Sequence, residues 1–193
     1  RPFRMRILVV CRGSLKEGLG HLLRTRTFAR HAALHHEIGV VAIVEHDLES
    51  VLSDLPCPVW CVPTDADIPG LIHGFQPDTL VYDTTWLDPE VFEEISRCAR
   101  LNVSISPVFD QAHRLDLLVT RSTRPPVIPG VTVLSGLPYA IFGEHCRVID
   151  DATYDYVPAA PEMLTRARRI QEICLSFGVE LASAAMQFPH RHA

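Results

Sequence analysis

Residues 16–31, KEGLGHLLRTRTFARH, gather the groups best suited to chemistry. Gly18 and Gly20 follow an apolar run, His21 comes next, and Arg24 stands one helical turn further on. Glycines let a backbone turn tightly and approach a ligand with no Cβ in the way. A helix beginning near His21 would aim free N–H groups and the positive end of its dipole at that bend, and both favour an anion. Arg24 adds a charge-assisted donor for a phosphate or carboxylate. Ser14, earlier in the same loop, joins Gly18, Gly20 and Arg24 as a candidate binding residue.

Two phosphate-loop patterns compete for this stretch. The P-loop requires Gly-Lys-Ser/Thr at its close, and here Gly13 precedes Ser14 while Gly18 precedes Leu19. The dinucleotide fingerprint asks for glycine or alanine three residues after its second glycine, where Leu23 stands. Glu45, ending a second apolar run, remains available as a ribose ligand. A nicotinamide-linked oxidoreductase with Gly18, Gly20 and Glu45 at its site is therefore an alternative.

The elements that would position these residues alternate. RILVV (6–10), VVAIV (40–44), PVWCV (58–62), DTLVYD (78–83), LNVSIS (101–106) and LDLLVT (115–120) read as six buried strands. Residues 20–36 have helical periodicity, LESVLSDL is a short helix ending before Pro56, and Asp88-Pro89 opens a helix running to about Arg100. Strand and helix in alternation imply a parallel sheet with helices on both faces. The expected fold is α/β: an open, Rossmann-like parallel sheet over residues 1–150, with a helical C-terminal extension over 151–193. The loop after the first strand then lies beyond the carboxyl ends of the strands, where such sheets bind ligands.

The bulk numbers set outer bounds. The chain has 193 residues, 47% of them apolar, and a net charge of −5 from 18 basic and 23 acidic side chains. That balance disfavours a general nucleic-acid binder. No apolar stretch approaches the roughly 20 residues of a membrane span. The chain opens on Arg1 and runs directly into the first strand, so no secretory signal is read and Met5 is a plausible original start. Six scattered cysteines suit a reducing compartment, and a cytoplasmic protein is expected. Cys57 and Cys61 lack a second ligand pair, so no metal is expected, and no cofactor either. His190 and His192 read as a solvated tail, and His35-His36 as a helix end.

RILVVCRGSLKEGLGHLLRTRTFA resembles the N-terminus of the GT-B-like UDP-sugar hydrolases of the pseudaminic-acid pathway and of related spore-coat polysaccharide proteins. The likeness rests on Gly-x-Gly-His-x-x-Arg, here Gly18, Gly20, His21 and Arg24. It continues through DTLVYDTTWLDPEVFEEI at Asp83, VSISPVFDQAHRLDLLVT at Asp110 and Asp116, and LSGLPYAIFGEHCR at Gly136, Tyr139 and Ala140. It implies a nucleotide-sugar hydrolase or glycosyltransferase in which His21 is the catalytic base near the anomeric carbon. Asp83 and Asp110 would join Ser14, Gly18, Gly20 and Arg24 in binding substrate, a nucleotide sugar or sugar phosphate. A helix N-terminus suits an uncharged imidazole that accepts a proton. Arg12 stands where the family carries an acidic residue. A cation there could hold a phosphate, and it removes a carboxylate partner for His21.

In that family a second domain supplies most nucleotide contacts. Residues 153–193 resemble instead a late helical segment of aldo-keto reductases, in the aldose and fucose dehydrogenase branch. Two alternatives follow: a non-catalytic sugar- or nucleotide-binding module, and a fragment related to NADP-dependent aldo-keto reductases. A second chain could supply the missing domain. The tail helix PEMLTRARRIQEICLSFG bears a stripe of Leu164, Ala167, Ile170, Ile173, Cys174 and Phe177, expected to pack internally in preference to meeting a partner.

Overall fold

The computed structural model describes residues 4–14, 19–44, 46–122, 124–136, 139, 141, 153–154, 157–158 and 160–177. They divide into two compact units, Arg1–Ile141 and Phe142–Ala193.

The first unit is one parallel sheet. Its strands are β1 (Arg6–Gly13), β2 (Glu37–Val44), β3 (Val59–Val62), β4 (Thr79–Asp83), β5 (Leu101–Ser104), β6 (Leu117–Thr120) and β7 (Thr132–Ser135). They lie in the order β3-β2-β1-β4-β5-β6-β7, every neighbouring pair parallel. From β1 the chain winds outward to β3, then crosses back to place β4 on the other side of β1. The order reverses there, so β1 and β4 flank the topological switch point.

The middle strands read as continuous apolar runs because both faces are covered. On one side α1 (Gly20–Ala32) and a 3-10 turn over His46–Leu52 bury Leu22, Ala29, Leu48 and Leu52 against Val9, Cys11, Val40 and Ala42. On the other, α2 (Ile68–Phe75) and α3 (Pro89–Ser96) bury Ile68, Ile72, Phe75, Phe92 and Ile95 against Leu8, Val10, Leu80 and Tyr82. Burying a Leu, Ile or Phe is worth about 1.5–3 kcal/mol, so these two layers carry the sheet.

The expected strands are all present, several shifted at their ends. The expected helix at LESVLSDL is the 3-10 turn, and α3 stops at Ser96. Asp88 caps α3 as expected, its Oδ1 accepting from the N–H groups of Glu90 (2.9 Å) and Val91 (3.3 Å). Helix α2 and strand β7 are not among the expected elements.

In the second unit β8 (Thr153–Tyr154) and β9 (Val157–Pro158) form a short antiparallel pair, and α4 spans Pro161–Ser176. None of the helix's residues is buried. Ile170, Ile173 and Phe177, at the C-cap, are among its exposed residues. The expected second tail helix, VELASAAMQF, lies outside the described residues, as do His190 and His192.

Candidate functional site

At the switch point β1 and β4 run in register, Cys11 beside Asp83. Alternation along β4 turns Tyr82 to the α2–α3 side and Asp83 to the α1 side. The Asp83 side chain is fully buried, yet its carboxylate is well supplied with donors. Arg24 grips it as a fork, Nε donating to Oδ2 at 3.0 Å and Nη2 to Oδ1. Thr25 Oγ1 donates to Oδ2 at 3.2 Å, and His21 Nδ1 lies 2.7 Å from Oδ1. His21, Arg24 and Thr25 fall within one turn of α1, so the helix presents all three to one carboxylate.

This arrangement fixes the imidazole's tautomer. A carboxylate oxygen paired with an arginine only accepts, so the hydrogen in the His21–Asp83 bond sits on Nδ1. Arg24 Nη2 also approaches Nδ1, at 2.9 Å, but two N–H donors converging on Oδ1 are not bonded to each other. In the neutral ring Nε2 then carries the lone pair. The His21 side chain is 17% exposed.

Among the described residues, no side chain caps the start of α1. Leu19 occupies the N-cap with no side-chain hydrogen bond, and the first turn holds no acidic residue. A Cβ built on Gly20 meets nothing within 4 Å, so its bareness serves no internal packing need. Gly13 differs: a Cβ there would lie 2.5 Å from Cγ and Cδ1 of Leu22, so this glycine lets α1 close onto β1. Its part was invisible until the helix was in place.

The remaining expectations separate. Ser14 directly follows β1 and is half-buried. Gly18 and Glu45 lie outside the described residues. Asp110 is exposed in the turn after β5, its carboxylate accepting from Gln111 Nε2 (3.1 Å), and no hydrogen bond or ion pair links it to His21, Arg24 or Asp83. Asp116 directly precedes β6, at the amino ends of the strands and away from the carboxyl-end cluster, its Oδ2 accepting the Asn102 N–H at 2.7 Å. Gly136, directly after β7, has φ +108°, a conformation that suits glycine. Tyr139 lines an apolar groove of about 350 Å³ with Phe28, Val81 and Val103, apart from the carboxylate cluster.

Arg12 corrects the idea of a free phosphate-binding cation. Its Nη2 pairs with Asp65, a residue no sequence pattern singled out, and its guanidinium lies 5.3 Å from the Trp86 ring centroid. Asp65 Oδ2 also accepts the Asp88 N–H at 2.9 Å. Nor does the loss of an acidic residue at position 12 leave His21 without a carboxylate: Asp83 supplies it.

Beside the cluster, burial pushes the Cys11 thiol well above its ordinary value, with the Asp83 charge adding to the effect. It is an inert core group. The five described cysteines are all free. Among the described residues no His/Cys/Asp/Glu group could hold a metal ion, and no helix is long and apolar enough to cross a membrane.

Fold and site together define a doubly wound, Rossmann-like α/β domain whose switch point holds a carboxylate-anchored histidine. No family model matches the chain. Among solved structures it is similar to an O-GlcNAc transferase variant of Thermobaculum terrenum, at 21% identity and TM-score 0.48, over 69% of this chain and 28% of that one. It is also similar to HepE of Anabaena in complex with UDP and glucose, at 16% identity and TM-score 0.49, over 91% of this chain and 50% of that one. Of the curated proteins, pyridoxal 4-dehydrogenase of Microbacterium luteolum is 49% identical over 39 residues, 20% of this chain and 11% of that protein. The chain thus spans half or less of the length of each of these three proteins.

Proposed function

We propose that the first unit binds a nucleotide sugar, or its sugar phosphate part, at the switch point and that His21 is the base of a hydrolase or glycosyltransferase reaction there. The observation that carries this reading is the Nδ1–Asp83 bond, which leaves Nε2 as the proton acceptor of a partly exposed ring. The uncapped start of α1 offers main-chain donors for a phosphate, and the open space beside Gly20 admits it. The resemblance of the Gly-x-Gly-His-x-x-Arg stretch supports the same assignment.

In this reading a water, or an acceptor hydroxyl, attacks the anomeric carbon. Its proton passes to His21 Nε2 as the new C–O bond forms, while the bond from the anomeric carbon to the phosphate oxygen breaks and the nucleoside diphosphate leaves. Asp83 holds the ring's orientation and stabilises the imidazolium that results. Arg24 is spent on Asp83 and acts as a positioning residue. Asp110, Ser14 and Gly18 remain candidate contacts to the sugar or phosphate. Supply of such a substrate, and five free thiols, suit the cytoplasm.

The test is UDP release from UDP-sugars by the intact chain. His21→Ala should lower it by about 100-fold or more, with affinity by titration calorimetry nearly unchanged. Binding without release, in wild type and variant alike, would make the protein a binding module. Affinity for NADPH with none for UDP-sugars would favour the oxidoreductase alternative and end the present reading.

A further inference from the structure

We propose that Trp86 is a stacking platform for an uncharged ring of the ligand, the base or pyranose of a nucleotide sugar, held ready by a guanidinium support on the opposite face of the sheet from His21. This rests on the reading of the switch point as the ligand site.

Trp86 stands three residues beyond Asp83, and 48% of it is exposed. Large exposed aromatics usually occupy loose loops or cover something, but this loop is tied down on each side of the ring. Thr84 Oγ1 donates to the Trp86 carbonyl at 2.8 Å and accepts its N–H at 3.3 Å. The Thr85 carbonyl accepts the Asp110 N–H at 3.0 Å, Leu87 is fully buried, and the Asp88 N–H is held by Asp65. The indole is presented on a fixed backbone, which lowers the entropic cost of stacking on it.

Arg12 explains the ring's orientation. Its guanidinium lies within cation–π range of the indole. It belongs to the end of β1, one residue beyond the Cys11–Asp83 pair, and points to the α2–α3 side while Asp83 points to the α1 side. His21 and Trp86 therefore lie toward opposite faces of the sheet at the carboxyl ends of β1 and β4, and a ligand at the switch point would lie between them. The Arg12–Asp65 ion pair cancels its own charge, so this side offers no net attraction for a phosphate. What it offers is a flat, polarised, half-exposed π surface, which suits a ring without charge.

Trp86 also reports on its own occupancy. The chain has two tryptophans, and Trp60 packs on Phe75 at 6.1 Å between ring centroids. In a Trp60→Phe background, UDP-N-acetylglucosamine should quench Trp86 emission saturably. Separate titrations with uridine and with N-acetylglucosamine 1-phosphate show which ring stacks. Trp86→Ala should weaken binding about tenfold, and Trp86→Phe, which keeps a ring, by no more than about threefold. Equal affinity of wild type and Trp86→Ala, with no emission change, overturns the platform and leaves the role of His21 standing. Quenching by a ligand that is never turned over supports the platform while the hydrolytic reading fails. Absence of binding by all three ligands overturns both.

Discussion

Acid–base chemistry at the switch point turns on one buried carboxylate. Asp83 receives donors from three side chains of one helix turn, and each has a different stake in it. Arg24 needs its charge, Thr25 completes its solvation, and His21 needs its direction. Asp83→Asn keeps the shape and removes the charge. Arg24, whose side chain is 25% exposed, then loses its counter-ion in a mostly enclosed place. The expected loss is about 2–4 kcal/mol, below the range for a fully buried pair because part of the guanidinium stays wet. The amide also ends the requirement that Nδ1 carry the hydrogen, so any turnover should fall by about 100-fold or more, beyond what instability explains. Urea denaturation and UDP release measured on the same preparation check both. Full stability in the variant would mean that the cluster is not the anchor described here.

The strands were legible because two-sided burial writes them as unbroken β-branched runs, RILVV and VVAIV above all. Helix α3 announced itself through Asp88-Pro89. Helix α2 did not: IPGLIHGF holds two glycines and a proline, and its helicity comes from Ile68, Ile72 and Phe75 being buried at helical spacing. Asp65 was illegible for a related reason. Its partner Arg12 is 53 residues away, and only the crossover from β1 through β3 brings them together. Within the motif, His21 and Arg24 were found by type and spacing, but their real partner, Asp83, is set by strand order. The two described glycines at the β1–α1 junction make the contrast testable. Gly13→Ala drives a methyl into Leu22, which is fully buried and cannot swing aside, so a loss of about 1–3 kcal/mol is expected. Gly20→Ala meets open space and should leave the melting temperature within a degree or so while weakening a ligand seated at the helix start. Thermal unfolding with and without UDP-sugar separates the two roles, and equal destabilisation by both substitutions would contradict the packing given for Gly13.

At the scale of the molecule, one sheet divides two cores, and each holds a group that resists ionisation. On the α2–α3 side Tyr82 stacks near Phe92 and Phe109, and its hydroxyl donates to Asn102 Oδ1 at 2.9 Å. Burial raises its pKa far above the ordinary tyrosine value, with the Cys98 and Asp116 charges adding to the rise. On the α1 side, Cys11 is raised by burial and then by Asp83. Both groups are neutral when protonated, so the fold favours the protonated form. The unfolded chain gives up these protons near the ordinary values of about 8.5 for cysteine and 10 for tyrosine, while the folded chain keeps them. Their contribution is therefore complete below about pH 8 and is lost progressively as pH climbs past those values. Self-repulsion grows over the same range, because a chain already at −5 becomes more negative. The urea midpoint should hold steady from about pH 7 to 8 and fall continuously toward pH 11. Tyr82→Phe keeps the ring and drops the titration, so its midpoint should fall less steeply above about pH 10 than that of the wild type. Parallel curves for the two proteins would show that Tyr82 ionises without unfolding the sheet, and the tight core on the α2–α3 side would have to be given up.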